Sequence, residues 1–231
     1  MESLLKHKSL NEIAYEIIRD KILKGEFEPG SRIREDLLAE AISMSRTPVR
    51  EAINRLIADG LIISRVRKGL YLVQPTSPEI DDYIDIRCAL EKLAIEKCIK
   101  KINEEQKTKL RANLQQFRAA IDRGDFEACN ALDADFHMTI AQIANNGKLI
   151  ALLRDLSAFF QLARRTEKRE HPKEKNEQTF REHSLIFEAI MAGDTEAACN
   201  AIMANIETMR RNLHADSVKT SSTGRPNSLI A

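Results

Sequence analysis

From residue 79 to residue 214 the chain is a succession of amphipathic helical segments that no strand pattern interrupts. In each segment apolar residues recur at intervals of three and four, which places them on one face of an α-helix. Because such helices must bury their apolar faces against one another, we predict an all-α helical bundle. The predicted helices cover approximately 79–101, 104–123, 125–145, 148–166, 176–192 and 194–214. Asn103 and Asp194 are suited to capping the helices that follow them.

The chain before this bundle begins with three shorter helical segments. Residues 10–24 and 36–42 carry the first two, and a polar break separates the second from the third. Either Thr47, which precedes a proline suited to a first helical turn, or Ser45 caps the third helix. The third helix carries a one-sided apolar stripe at Val49, Ala52, Ile53, Leu56 and Ile57. Two helices joined by so short a break predict a helix-turn-helix.

Two strand candidates, 61–64 and 70–73, follow the third helix and are joined by the basic turn 65–69. A shorter extended piece at 31–34 precedes the helix-turn-helix. A helix-turn-helix followed by a two-stranded ribbon with a basic tip is the arrangement of a winged helix-turn-helix. The predicted fold class is therefore mainly α, with an N-terminal winged helix-turn-helix and a C-terminal all-α bundle.

The segment Pro75-Thr76-Ser77-Pro78 is the best linker in the sequence, since its prolines and small polar residues favour a turn or loop. We therefore predict a winged helix-turn-helix domain over residues 1–75 and an all-helical domain over residues 79–214. Residues 215–231 are rich in Ser, Thr, Gly and Pro and contain no aromatic residue, so this tail is predicted to be disordered.

Basic residues are concentrated at the third helix and the wing. The net charge of the whole chain is only +1, but residues 46–68 contain six basic and two acidic residues. Arg46, Arg50 and Asn54 recur every four residues and share one face, from which arginine can bind guanine bidentately. The candidate DNA-binding residues are Arg46, Thr47, Arg50, Asn54, Arg55, Arg67, Lys68 and Gly69. The alternative is a solvated basic face on a protein-binding helix.

This region resembles the GntR superfamily of transcription regulators over about residues 10–75. The resemblance rests on Leu38-Ala39-Glu40, on the run Ser45-Arg46-Thr47-Pro48-Val49-Arg50-Glu51-Ala52, and on Leu56, Asp59-Gly60-Leu61 and Lys68-Gly69. A fatty-acid-responsive relative carries an arginine near the start of its second helix, where this chain has Asp36. Arg34 or Arg32 is the candidate that substitutes for it, so Arg34 joins the predicted DNA-binding residues.

Composition excludes several other classes of protein. No run of about 18 apolar residues is present, so no membrane span is predicted, and Met1 to Lys8 lacks the apolar core of a secretory signal. The four cysteines show no paired motif and lie within apolar helical patterns, which is typical of free thiols packed as small hydrophobic side chains. We expect a cytoplasmic protein.

Asp133 and His137 lie four residues apart and so project from the same face of a predicted helix. A carboxylate beside an imidazole is a good start for a metal site, and His183 is the next interior histidine. From the residues alone, an Asp–His pair that only satisfies itself is an equally good interpretation. A metal-dependent hydrolase using Asp133, His137 and His183 is the enzymatic alternative, although the sequence has no HExxH motif, no nucleophile with its base and no phosphate loop.

The second domain resembles the FCD effector domain of FadR-like GntR regulators over about residues 79–210. The resemblance rests on Arg87-x-x-Leu90-Glu91, Asp133 with Phe136 and His137, Asn146 with Leu149, Glu182-His183, Ala189, Gly193-Asp194 and Ala197. It implies a bundle of six or seven helices that holds a divalent metal, of the zinc or nickel class, on one Asp and three His. The implied ligands here are Asp133, His137 and His183, but the third histidine is replaced by Asn205. Three outcomes are therefore open: a weaker site on these three residues, a site completed by water or the effector, or no metal.

The same resemblance implies a small carboxylate effector that binds next to the metal. Arg87 is the candidate partner of the carboxylate, because a guanidinium matches it bidentately, while a buried ion pair with Glu91 is the competing interpretation. Asn205, a weak ligand for zinc or nickel, is a candidate to bind the effector instead. We therefore predict a homodimeric transcription regulator, not an enzyme, that binds a palindromic operator in double-stranded DNA under the control of this effector.

Overall fold

The computed structural model of the protein describes residues 8–165 and 172–220. Within these residues the chain divides into two compact units. The first unit holds the described chain up to Pro75 together with residues 158–165, and the second holds residues 76–157 and 172–220. The change of unit at Pro75 lies at the start of the predicted linker. The end of one long helix joins the first unit, which the sequence did not predict.

The first unit contains a helix-turn-helix and a small sheet. Its elements in chain order are α1 (Leu10–Lys24), β1 (Arg32–Ile33), α2 (Glu35–Ala41), α3 (Arg46–Ala58), β2 (Ile62–Arg65) and β3 (Gly69–Leu72). The strands form an antiparallel sheet in the order β1-β3-β2, with Tyr71 of β3 opposite both Arg32 and Ile63. The predicted extended piece before α2 is thus a third strand of the wing sheet.

Apolar periodicity explains why α1 packs on α3. Ala14, Ile18 and Ile22 recur every four residues along α1 and are almost completely buried. They face the apolar stripe of α3, which is buried as well from Val49 to Leu56. Burial of each large aliphatic side chain contributes about 1.5–3 kcal/mol. This contact holds the opposite, polar side of α3 in a fixed place.

The second unit is a helical bundle. Its helices are α4 (Ser77–Ile99), α5 (Glu104–Arg123), α6 (Phe126–Ala144), α8 (Pro172–Ala192) and α9 (Thr195–Thr220), together with the part of α7 (Gly147–Ala163) that ends at Ser157. Within the bundle α4 packs against α6 and α9, and α8 packs against α5, α6 and α9. The mainly α fold class is confirmed. Helix α9 continues past the predicted end at His214 to Thr220, and the rest of the predicted disordered tail lies outside the described residues.

The caps of the bundle follow the predicted chemistry. The side chain of Asn103 accepts a hydrogen bond from the backbone N–H of Gln106 at 2.9 Å, and Asp194 accepts one from Ala197 at 2.9 Å. Each cap satisfies a backbone donor that the first helical turn leaves without an intrahelical partner. Both caps confirm where α5 and α9 begin.

All four cysteines are free, and three of them are buried. Burial raises the pKa of Cys98 to about 12, so this thiol is protonated and inert at neutral pH.

Within the described residues, no helix is both long enough and apolar enough to cross a membrane.

Candidate nucleic-acid interface and metal centre

Helix α3 presents its polar residues to solvent from its first turn onward. Ser45 occupies the N-cap position and the helix begins at Arg46, so Thr47 lies inside the first turn rather than capping it. Arg46, Thr47, Arg50 and Asn54 are all exposed, while Val49 and Ile53 between them are buried. Side chains at the exposed N-terminal end of such a helix are the ones that reach base edges in a major groove.

Carboxylates of α2 form ion pairs with two of the predicted DNA-binding arginines. Arg50 Nε lies 3.2 Å from Glu35 Oε2, and Arg34 Nη2 lies 2.7 Å from Asp36 Oδ2. The hydrogen bond from Arg34 lowers the pKa of Asp36. Asp36, which stands where a relative has arginine, is therefore paired with Arg34, the residue expected to substitute for that arginine. Sequence reasoning missed Glu35 entirely.

Arg55 is oriented differently from the rest of the predicted set. Its guanidinium stacks over the ring of Tyr15 at 3.9 Å from the centroid, and the Tyr15 hydroxyl donates to Asp59 Oδ2 at 2.6 Å. Burial, with further help from Asp59, raises the pKa of Tyr15 to about 12. The three side chains join α1 to the end of α3, so Arg55 serves the packing of this unit, and a DNA contact by Arg55 stays a prediction.

The wing turn between β2 and β3 is compact and basic. Arg67 and Gly69 have positive φ of 60° and 104°, and the backbone N–H of Lys68 donates to Arg65 O at 2.9 Å. A side chain at position 69 would contact the Arg32 guanidinium in a strained conformation, which explains the glycine. Arg67 and Lys68 are both exposed at the tip.

The predicted metal ligands come together inside the bundle. Asp133 and His137 project from α6, and His183 projects from α8. Asp133 Oδ1 lies 3.3 Å from His183 Nε2 and 3.9 Å from His137 Nε2. Donor atoms about 2.1 Å from a tetrahedral ion are about 3.4 Å apart, so the three groups are spaced as ligands of one ion. All three residues are buried.

His183 is the most informative member of this cluster. Its side chain is 0% exposed, stacks on Phe136 at 4.3 Å between ring centroids and meets the edge of Phe117. Its Nε2 approaches Asp133 Oδ1 at 3.3 Å, but neither ring nitrogen has a hydrogen bond of standard geometry within the described residues. Burial lowers the pKa of His183, so the imidazole is neutral and offers a lone pair. A buried imidazole in this state fits a metal ligand.

His137 is held from the opposite side by a buried ion pair on α4. His137 Nδ1 lies 2.7 Å from Glu91 Oε2, and Arg87 Nε donates to Glu91 Oε1 at 2.7 Å. Burial would raise the pKa of Glu91, but His137 and Arg87 outweigh it and lower that pKa to about 2. The sequence left two interpretations of Arg87, an effector contact and an ion pair with Glu91. The structure contains the ion pair. The contact between Glu91 and His137 was not predicted.

Asn205 belongs to a polar cluster between α8 and α9. Its amide nitrogen donates to Glu182 Oε2 at 2.8 Å, while Glu182 Oε1 accepts from Thr208 at 2.7 Å and from Gln178 at 3.1 Å. The residue at the position expected for a third histidine is therefore engaged with a carboxylate next to His183. Glu182 is part of the family motif, but its role as the acceptor of these hydrogen bonds was not predicted.

Comparison with known proteins agrees with both halves of this description. The FCD domain matches residues 82–208, and the gntR family of bacterial regulatory proteins matches residues 10–72. The HTH-type transcriptional regulator YdhC of Bacillus subtilis (strain 168) is 34% identical over 196 residues, which cover 83% of this chain and 85% of YdhC. The gluconate operon transcriptional repressor of Bacillus licheniformis is 26% identical over 196 residues, covering 84% of this chain and 80% of the repressor.

Among solved structures, E. coli McbR/YncC has the same fold, with a TM-score of 0.80 at 22% identity over 92% of this chain and 99% of that one. The families and the curated relatives regulate transcription, so this protein is a DNA-binding transcription regulator, and the hydrolase alternative has no support. Both domain matches and the identity to YdhC show that the chain belongs to the GntR family of bacterial regulatory proteins, with a FadR-like C-terminal FCD domain.

Proposed function

We propose that this regulator is a homodimer whose affinity for a palindromic operator is set by a small carboxylate effector bound beside a divalent metal. The observation that carries the proposal is the buried group of Asp133, His137 and His183, in which neither nitrogen of His183 has a hydrogen bond of standard geometry in the part of the chain that the structure describes. An ion on these atoms would supply the partner that a buried polar group requires. That the protein acts in the cytoplasm stays a prediction.

The donor set favours a metal of the zinc or nickel class. Two neutral imidazoles and one carboxylate suit such ions, whereas magnesium and calcium prefer oxygen ligands alone. Three protein ligands leave at least one coordination position for water or for the effector. The metal would supply a Lewis-acidic binding point for a carboxylate oxygen, and the chain would supply the buried walls that exclude water.

The effector contacts of Arg87 and Asn205 are also part of the proposal. Arg87 already donates to Glu91, and Asn205 already donates to Glu182. A carboxylate effector would therefore bind chiefly through the metal, with Arg87 and Asn205 as additional donors. The gluconate operon repressor among the relatives supports this effector class, since gluconate is a small carboxylate.

The operator contacts proposed for α3 follow from its exposed face. Arg46, Arg50 and Asn54 would read base edges, and Thr47 with the first backbone amides would bind a phosphate. From the wing, Arg67 and Lys68 would approach the DNA backbone, with Gly69 allowing the close turn. Arg34 and Arg55 complete the set of residues proposed to bind DNA. Arg34 would use the guanidinium edge that does not contact Asp36.

Dimerisation is supported by an apolar strip on α4. Ile86 is 53% exposed and Leu93 is 37% exposed, and their spacing of seven residues places them on one side of the helix. Exposed apolar side chains that share a helix face are typical of an interface. A second copy of the chain is the expected occupant, because two recognition helices are needed to match the two halves of a palindrome.

The test combines metal analysis with DNA selection. Purified wild-type protein should contain close to one divalent ion per chain, and selection from random duplexes should return a palindromic sequence. His183→Ala should lose the ion because one of three ligands is gone, whereas His214→Ala, which changes a histidine outside the cluster, should retain it. Equal metal content in wild type and His183→Ala would refute the metal site. Failure to select any duplex, with or without candidate carboxylates, would refute the operator.

A further inference from the structure

The buried carboxylate of Glu91 lies between the side chains of Arg87 and His137. We propose that Glu91 is a positioning residue of the metal centre: it fixes the tautomer and ring orientation of His137, and Arg87 anchors Glu91. The proposal rests on the metal site proposed above, and it assigns to Arg87 a function that needs no effector.

The first step of the argument is the tautomer of His137. A neutral imidazole carries one N–H, and an ionised carboxylate only accepts hydrogen bonds. A metal ligand must be the neutral form, and because His137 Nδ1 lies 2.7 Å from Glu91 Oε2, the one proton of that form belongs on Nδ1. Nε2 then keeps its lone pair, and Nε2 is the nitrogen that lies toward Asp133, 3.9 Å from Oδ1. Histidine ligands of metals are commonly oriented in this way by a carboxylate.

The second step concerns what holds Glu91 in place. Its side chain is 2% exposed, so the buried carboxylate needs partners from within the bundle. Arg87, four residues earlier on α4, donates to Oε1 at 2.7 Å and is itself buried. The guanidinium therefore fixes the position of the carboxylate and is its charge partner. Without Arg87, Glu91 would lose the contact that directs Oε2 toward His137 Nδ1.

The third step is the difference from an effector contact. If Arg87 acted only on the effector, replacing it would leave effector-free metal binding unchanged. If Arg87 anchors Glu91, Arg87→Met should weaken metal binding in the absence of any effector. Outer-shell partners of a metal-bound histidine commonly change affinity by about 10–100-fold. We expect a loss in this range for Glu91→Ala and a smaller loss for Glu91→Gln, whose amide oxygen still accepts from Nδ1.

The experiment uses the full-length protein in two measurements. Nitrogen-15 NMR of the metal-free protein reports the histidine tautomers directly. Wild-type His137 should carry its proton on Nδ1, and in Glu91→Ala it should shift toward the Nε2–H form. Competition with a chelator then gives the Co²⁺ affinity, and the visible absorption of bound Co²⁺ reports coordination. Glu96→Gln, which removes a carboxylate elsewhere on α4, is the matched control and should match the wild type in both measurements.

The outcomes separate the two proposals. Absence of Co²⁺ binding by the wild type would refute the metal site. The tautomer measured in the metal-free protein would still show whether Glu91 fixes the proton of His137 on Nδ1. Equal Co²⁺ affinity and an equal tautomer in wild type and Glu91→Ala, together with an unchanged Arg87→Met, would overturn the present inference. Should Glu91→Ala fail to fold, Glu91→Met and Arg87→Met carry the same comparison, because methionine fills the space of either side chain without accepting from Nδ1 or binding the carboxylate.

Discussion

Arg50 of α3 and Glu35 at the start of α2 form an ion pair, with Arg50 Nε 3.2 Å from Glu35 Oε2. The Arg50 side chain is 63% exposed and that of Glu35 is 31% exposed. An exposed pair of this kind contributes at most about 1 kcal/mol to stability. It does orient the guanidinium, because a contact at Nε leaves the edge formed by the two Nη atoms available for a base.

Arg50→Ala should lower affinity for the selected operator more than affinity for random DNA. A bidentate contact of arginine with guanine contributes about 1–3 kcal/mol of discrimination, equivalent to roughly 5–150-fold. Electrophoretic mobility or fluorescence anisotropy with both duplexes measures the two affinities. Equal losses on operator and random DNA would show that Arg50 contacts only the backbone.

Lys68→Ala is the matched change on the wing. A lysine that neutralises a phosphate contributes equally to every sequence, so both affinities should fall together. The slope of log affinity against log salt should also become shallower by about one. A loss confined to the operator would instead place Lys68 at a base edge.

Glu35→Gln should lower the specificity ratio between operator and random DNA by up to about fivefold, the value of an exposed ion pair. Affinity for random DNA should hold or rise, because a negative charge near the phosphates is removed. Asp36→Asn is the control, since Asp36 pairs with Arg34 and not with Arg50. A gain in operator affinity for Glu35→Gln would mean that the pair with Arg50 opposes binding.

The helices were predictable because each depends on nearby residues. Apolar spacing and local caps such as Asn103 and Asp194 act within a few residues and can be read from one segment. Strand β1 was only an extended piece, since its assignment requires pairing with β3 much later in the chain. The end of α9 was placed too early because the composition of the whole tail set it, whereas residues 215–220 contain neither glycine nor proline and do not stop the helix.

The site shows the same division between local and distant contacts. Asp133 and His137 were grouped correctly because a spacing of four on one helix brings two side chains together. The contact of His137 with Glu91 depends on how α4 packs on α6, and that of Arg55 with Tyr15 depends on α1. Such contacts between helices leave one signal in the sequence: the charged pair Arg87 and Glu91 lies on an otherwise apolar helix face.

Asn205→His should strengthen metal binding at least about tenfold, because an imidazole is a far better ligand for zinc or nickel than an amide oxygen. The family resemblance places a histidine at this position. Asn205→Ala is the control: it also removes the hydrogen bond to Glu182 but adds no ligand, so it should bring no gain. Chelator competition measures both variants, and equal affinities would show that position 205 does not reach the ion.

Asp81 on α4 should make the stability of the bundle depend on acid pH. Asp81 Oδ1 accepts from His214 Nε2 at 2.9 Å and from Arg210 Nη1 at 3.0 Å, which ties the start of α4 to α9. The hydrogen bond from His214, with Arg210 adding to it, lowers the pKa of Asp81.

A carboxyl whose pKa is lower in the folded than in the unfolded state stabilises the fold above its unfolded pKa, near 4, and loses this effect as the pH falls through the lowered value. Asp81→Asn should therefore cost less than about 1 kcal/mol at pH 7, since the Asp81 side chain is 42% exposed, and the difference should vanish in strong acid. Urea unfolding at pH 7 and over a series of decreasing pH values in the acid range measures it. Asp85→Asn, which removes the more exposed partner of Arg210, should show a smaller dependence, and a pH-independent cost of Asp81→Asn would contradict the charge argument.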